Sequence, residues 1–212
     1  MDFVPLRYTK PLSLVVIVSD MAIKLIGNWK KGFALDLHTK SSEYLGVGEF
    51  GRDRFDTKRT EIGELVYKLK YGADISSVSK LVDCIQQNIR GLEKLDYLVP
   101  VPPSKPRTVQ PVFLIAEELS KRTRVPFIRD AILKVKRTPE IKEVFDQEER
   151  EALLADAYQY NDKYDLANKN ILLLDDLYRS GTTLRVITSI LYKNAMVKNV
   201  FVITLTKTRS LR

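Results

Sequence analysis

The sequence is poor in the residues that build metal and redox centres: its 212 residues include one cysteine, Cys84, and one histidine, His38. A single thiol excludes an intramolecular disulfide and falls short of a zinc ribbon or an iron–sulfur cluster. A single imidazole excludes a multi-histidine metal centre. Nine glycines and nine prolines are too few for a linker-rich chain. Long apolar runs are also missing. The most apolar N-terminal stretch, Leu12 to Gly27, is interrupted by Asp20 and Lys24 and is shorter than the roughly 20 residues a membrane span needs. The weakly charged start, with Asp2, lacks the basic leader and small-residue cleavage site of a secretory signal. The expected compartment is the cytoplasm, with no membrane partner.

What is present is an ordinary folded composition, 44% hydrophobic, 9% aromatic and 29% charged. Its size suits one domain, or one domain plus a small lobe. The 35 Lys and Arg against 27 Asp and Glu leave a net charge of +8 and a pI of about 9.4. Such a surface favours anions: phosphorylated metabolites, nucleotides or a nucleic-acid backbone.

No repeat or low-complexity tract interrupts the chain. The first ninety or so residues read as a mixed α+β lobe. The β-branched run 14–18 is followed by an amphipathic stretch from Asp20 to Trp29, and residues 33–37 alternate as a half-buried strand. Gly46 to Gly51 reads as a turn or hairpin. A capped helix is predicted over Thr60–Tyr71, and a second from Ser76 or Ser77 to Ile89, stopped by Gly91. The second half changes rhythm. Strands are predicted at 96–99, 131–135, 171–174 and 199–205, and helices at 112–122, 147–158 and 182–192. Uninterrupted apolar strands alternating with helices indicate a sheet covered on both faces, hence parallel βα units of an α/β fold.

The chemistry is concentrated between Ile171 and Thr183. Four apolar residues, Ile171 to Leu174, make a buried strand that ends on adjacent carboxylates, Asp175 and Asp176. Buried charge is costly, so the pair should emerge where the strand leaves the sheet, which is where ligands sit in open α/β sheets. The following turn, rich in Ser, Gly and Thr, opens directly into a helix; its amides, hydroxyls and helix dipole form a cradle for one phosphate. Gly181 allows close backbone approach. Carboxylates repel phosphate, so the pairing makes sense when the ligand offers a diol beside its phosphate. A ribose phosphorylated on its exocyclic carbon meets that description. The plain alternative is a buried strand, a solvated acid pair and a helix start. A receiver domain also ends a strand in Asp-Asp, but it needs further strands after the pair, and one strand-like run follows Asp176 here.

The segment resembles the PRPP-binding signature of type I phosphoribosyltransferases: four hydrophobic residues, two acids, then Thr/Ser-Gly-x-Thr/Ser. The resemblance implies a central, mostly parallel sheet flanked by helices, with an N-terminal α+β hood lobe at 1–59 and the α/β domain at 60–212. It implies that Asp175 and Asp176 hold ribose hydroxyls while Arg179, Ser180, Gly181, Thr182 and Thr183 wrap the 5′-phosphate of PRPP. Mg²⁺ would be held mainly through PRPP, with no direct metal ligand from the chain.

Two further segments bear on the same reading. Val99-Pro100-Val101-Pro102-Pro103 leads into Ser104, Lys105 and Arg107. Prolines remove N–H donors, so an anion held there relies on those three side chains and the few remaining amides. The resemblance makes this the pyrophosphate-binding loop; with Gln110, it is similar to the ComF-like branch of the family, associated with natural competence. Lys134, Lys136 and Arg137, leading to Phe145-Asp146-Gln147, also resemble that branch. There the basic stretch opens the loop that closes over the site, neutralising the departing pyrophosphate and excluding water. A solvated basic edge and a rigid proline turn are the ordinary readings of the two segments. The chain departs from the branch in lacking the four-cysteine zinc module and the Arg-Gly-Phe-Asn run of the pyrophosphate loop.

Asp175, Asp176, Lys134, Lys136 and Arg137 are therefore the expected catalytic set of a Mg²⁺-dependent phosphoribosyltransferase acting on PRPP and a nitrogenous base or other acceptor. The alternative is a non-catalytic PRPP- or nucleotide-sensing protein associated with DNA uptake. The family also allows a homodimer. His38 and Cys84 read as structural, Tyr67, Lys70 and Tyr71 as core or pocket border, and the basic tail from Lys207 as a solvated end with weak nucleic-acid contact as its alternative.

Overall fold

The computed structural model describes residues 16–17, 22–48, 51–104, 107, 109–136 and 147–209. Lys105, Arg137, Phe145, Asp146 and the tail from Ser210, all named above, lie outside the described residues, as do most of 14–21.

The two most apolar segments make the two central strands. β10 (Asn170–Tyr178) and β11 (Asn199–Lys207) pair in parallel, with Leu172 opposite Phe201 and Leu174 opposite Ile203. β7 (Tyr97–Pro100) adds in parallel on the β10 side, and β3 (Lys31–Leu37) adds in parallel on the β11 side. The two-residue β2 (Ile23–Lys24) closes that edge antiparallel, giving the order β2-β3-β11-β10-β7. Smaller pairs lie outside this sheet: β1 (Val16–Ile17) with β6 (Ile89–Arg90), and β8 (Ile132–Lys134) with β9 (Tyr158–Tyr160).

Because neighbouring side chains on a strand leave by opposite faces, each central strand feeds two cores. One face sends Leu98, Leu172, Leu174, Phe201 and Ile203 to a layer made by α1 (Glu61–Tyr71), α2 (Ser76–Asn88) and α3 (Pro111–Thr123). The other sends Val99, Ile171, Leu173, Val200 and Val202 to α5 (Thr182–Lys193) and α4 (Gln147–Ala155). The protein is thus α/β, with a mostly parallel central sheet flanked by helices. Cys84 is half-buried on α2, and burial raises its thiol above the usual range.

Three boundaries differ from the sequence reading. The stretch assigned to a hood at 1–59 contains β2 and β3, both strands of the central sheet. The hairpin of β4 (Thr39–Val47) and β5 (Asp53–Arg59) stands off it, as does β1. The half-buried alternation of β3 follows from its place near the edge, where a two-residue neighbour leaves much of it uncovered. The predicted 147–158 helix stops at Ala155, because Tyr158 leaves to pair with Lys134 on β8. Finally, β10 does not end on the acids but runs through them to Tyr178, held by β11 as far as Lys207.

Helix α1 is tied to the sheet at its first turn. Thr60 caps it, accepting from the Gly63 amide at 3.0 Å and donating to the Leu37 carbonyl at 2.6 Å. Gly63 passes so close to the His38 carbonyl that a β-carbon would collide with it.

Candidate functional site

A cleft of about 540 Å³ opens at the carboxyl ends of β7 and β10, the place where open α/β sheets bind ligands. Its floor is the acid pair. Asp176 continues the Leu172–Leu174 row toward the α1–α3 layer, and there Lys70 Nζ, in the last turn of α1, donates to its Oδ2 at 2.8 Å. Both side chains are largely covered, 16% and 14% exposed. Asp175 continues the Ile171–Leu173 row toward α5, and its Oδ1 accepts the Asp176 amide at 2.8 Å. Burial first, and the Asp176 carboxylate second, push Asp175 up to about 8. It is thereby held toward the protonated acid, which can donate as well as accept and is suited to a hydroxyl. Adjacent in sequence, the two acids thus sit in different surroundings: Asp176 pairs with Lys70, and Asp175 accepts the neighbouring amide.

The turn after β10 forms the wall on the α5 side. Gly181 caps α5 with φ +80°, a left-handed conformation that L residues with side chains rarely adopt. Its missing β-carbon also makes room for Tyr178, whose hydroxyl oxygen would lie 2.6 Å from that atom. The Ser180 and Thr182 hydroxyls are 2.9 Å apart. Arg185 is the first α5 amide to find a helical carbonyl, that of Gly181 at 2.9 Å, so the preceding first-turn amides are left to the turn and to a ligand. Together these groups can receive one phosphate. Beneath them Tyr158 bonds Thr183, and burial raises its phenol.

The opposite wall is Pro102, Pro103, Ser104 and Arg107, continued by Gln110 and the first turn of α3. Pro111 at the start of α3 has no N–H to offer; among the described residues of this wall, Arg107 carries the positive charge and Ser104 and Gln110 carry neutral donors. Behind the floor, His38 Nδ1 lies 3.1 Å from the Thr206 hydroxyl, which donates to the Asp176 carbonyl at 3.2 Å. With that hydroxyl proton spent on the carbonyl, Nδ1 carries the histidine's own proton. Burial, then Arg59 and Lys70, hold His38 below its ordinary value, so it is neutral at pH 7 and props the strand end from behind.

The structure thus gathers Asp175, Asp176, Arg179, Ser180, Gly181, Thr182 and Thr183 with Ser104 and Arg107 around one cleft. It does not bring the β8 cations there. Lys134 lies beside the Tyr158 ring, 5.9 Å from its centre, and burial lowers its pKa. Lys136 pairs with Asp156 at 3.2 Å on the surface. None of residues 1–59 lines the cleft among the described residues.

Lys70 and Tyr71 do line it, whereas Tyr67 turns away beneath the Arg59 guanidinium, 3.6 Å from its ring centre. The signal for Lys70 was a charge adjoining the buried stripe Gly63–Val66–Leu69, where helical spacing calls for an apolar side chain. Tyr158 and Tyr178 carry no local signal; both are core aromatics by pattern.

No family model matches the chain, and no curated protein matches it either. Among solved structures it is similar to an adenine phosphoribosyltransferase, at 15% identity over 77% of this chain and 85% of that one, TM-score 0.43. It is also similar to the orotate phosphoribosyltransferase of Aeropyrum pernix, at 16% identity over 77% and 75%, TM-score 0.41. The Saccharomyces cerevisiae adenine phosphoribosyltransferase matches at 16% identity over 77% and 83%, TM-score 0.44. The likeness is distant in every case.

Proposed function

We propose that this protein is a phosphoribosyltransferase that binds PRPP with Mg²⁺ and passes its phosphoribosyl group to a nitrogenous acceptor, releasing pyrophosphate. One observation carries the reading: an acid pair and a glycine-hinged helix start border the same cleft, together with Ser104 and Arg107. A diol needs the first, a monoester the second, and a diphosphate the third.

In this reading the Ser180–Thr183 turn seats the 5′-phosphate, and Asp175 and Asp176 take the ribose hydroxyls. The C1–oxygen bond to diphosphate breaks as an acceptor nitrogen lone pair approaches C1, and the acceptor's proton is lost to solvent. The chain supplies position and charge rather than a nucleophile. Among the described residues no three His, Cys, Asp or Glu side chains are grouped to hold a metal. The Mg²⁺ ion would enter on the substrate's phosphates, as that ion commonly does. Lys136 would have to leave Asp156 to reach the leaving group, at little cost, because exposed ion pairs contribute only ~0–1 kcal/mol.

The test is calorimetric titration with PRPP in Mg²⁺. Asp175→Asn combined with Asp176→Asn should weaken binding at least about tenfold, since the one charge-assisted hydrogen bond at Asp176 contributes about 1.5–3 kcal/mol. Unchanged affinity would remove the acids from the site. A panel of bases with PRPP, followed for pyrophosphate release, then separates transfer from binding alone. A sensor without turnover is favoured by one feature: Lys136 is paired with Asp156 outside the cleft. Binding without release would identify it.

A further inference from the structure

The Lys70–Asp176 pair stands inside the sugar pocket. A hydroxyl that takes Asp176 Oδ2, the oxygen Lys70 holds at 2.8 Å, competes with an ammonium for a carboxylate only 14% exposed. The exchange is unfavourable on its own, because charge-assisted hydrogen bonds are roughly twice as strong as neutral ones. It also strands Lys70, 16% exposed, without an anion in a half-closed cleft, and a covered charge deprived of its partner is strongly destabilising. A ligand escapes this loss only by bringing a second anion to the α1–α3 side of the sheet.

The geometry specifies which anion. Strand alternation turns Asp176 and Lys70 toward the α1–α3 layer, and Ser104 and Arg107 lie on the segment that enters α3. The monoester turn, Ser180–Thr183, opens α5 in the opposite layer. That turn borders the cleft from the α5 side, whereas Lys70, Ser104 and Arg107 border it from the α1–α3 side.

We propose that Lys70 is a specificity-determining residue: by exchanging Asp176 for the ligand's diphosphate, it makes the cleft select a ribose bearing a diphosphate beside its diol over one bearing the 5′-monoester alone. The inference rests on the PRPP reading of the site. It makes the apo ion pair a stand-in for the bound ligand, Lys70 occupying the acid until substrate supplies an anion for the lysine and a diol for the acid together.

The experiment is calorimetry in Mg²⁺ with two ligands, PRPP and ribose 5-phosphate, on wild type, Lys70→Met and Lys70→Arg, each checked for a cooperative thermal melt. Lys70→Gln replaces the Met variant if that one does not melt cooperatively. Wild type should prefer PRPP. Lys70→Met should narrow the preference at least about tenfold, the scale of one charge-assisted hydrogen bond. It should do so from both directions, with weaker PRPP and tighter ribose 5-phosphate, while Lys70→Arg keeps most of the preference. A purely structural lysine would weaken both ligands equally, and that result, or an unchanged ratio, overturns the inference while leaving the PRPP reading in place. Failure of wild type to bind either ligand overturns both.

Discussion

Asp175 shows what burial does to a carboxyl group that the sequence presents as one of an equivalent pair. Its neighbour keeps a lysine, while Asp175 is held toward the neutral form at about 8. A carboxyl raised in the folded chain binds more protons there than in the unfolded one, so between the ordinary carboxylate range and about 8 stability falls as pH rises. The slope from one group is at most about 1.4 kcal/mol per pH unit. Asp175→Asn keeps the shape without the titration. We expect urea unfolding at pH 5, 6.5 and 8 to show the Asn variant gaining on wild type at each step; parallel profiles would show that Asp175 is ordinary. The two acids and the Ser-Gly-Thr turn were legible because the requirement is local: an apolar run, then charge, then a glycine. Their inequality was not, since it depends on what α1 and α5 press against each face.

At the scale of elements, α1 decides where Lys70 sits. Thr60 and Gly63 clip its start to the end of β3, and Lys70 projects from its end onto Asp176. Gly63→Ala would drive a methyl against the His38 carbonyl and lever the helix off the sheet. We expect a loss of about 1–3 kcal/mol in chemical denaturation, the usual cost of overpacking. PRPP binding measured well below the melting temperature should weaken too, because Lys70 moves with the helix. A destabilised variant with wild-type affinity would uncouple the clip from the site. Helices α1, α2, α3 and α5 could be read from their period, since each carries its own amphipathic stripe, and α1 also from its Thr60 cap. The three-residue β9 could not: Tyr158 continues a helical-looking stretch, and only its distant partner Lys134 makes it a strand.

At the scale of the whole molecule, the β4–β5 hairpin is the part least engaged with the rest. Tyr44 packs on Phe55 with ring centres 5.4 Å apart, yet both are more than half exposed, as are Leu45 and Val47. No hairpin residue lines the cleft among the described residues. Replacing residues 41–57 by a short glycine–asparagine turn should leave the thermal midpoint within a few degrees and PRPP affinity within about twofold. A collapse of either would make the hairpin part of the working structure. Alternation alone could not separate this ribbon from β3, which precedes it, because both look half-buried; only pairing with β11 distinguishes them.

That pairing joins residues 31–37 to residues 199–207, with nearly the whole intervening chain between them. During synthesis the early segment emerges long before its partner and stays an open edge while the ribosome completes everything in between. Closing so long a loop is slow, and an exposed edge invites association with other nascent chains. The later strand β11 therefore acts as the keystone, and until it arrives β3 lacks the partner that holds it in the sheet.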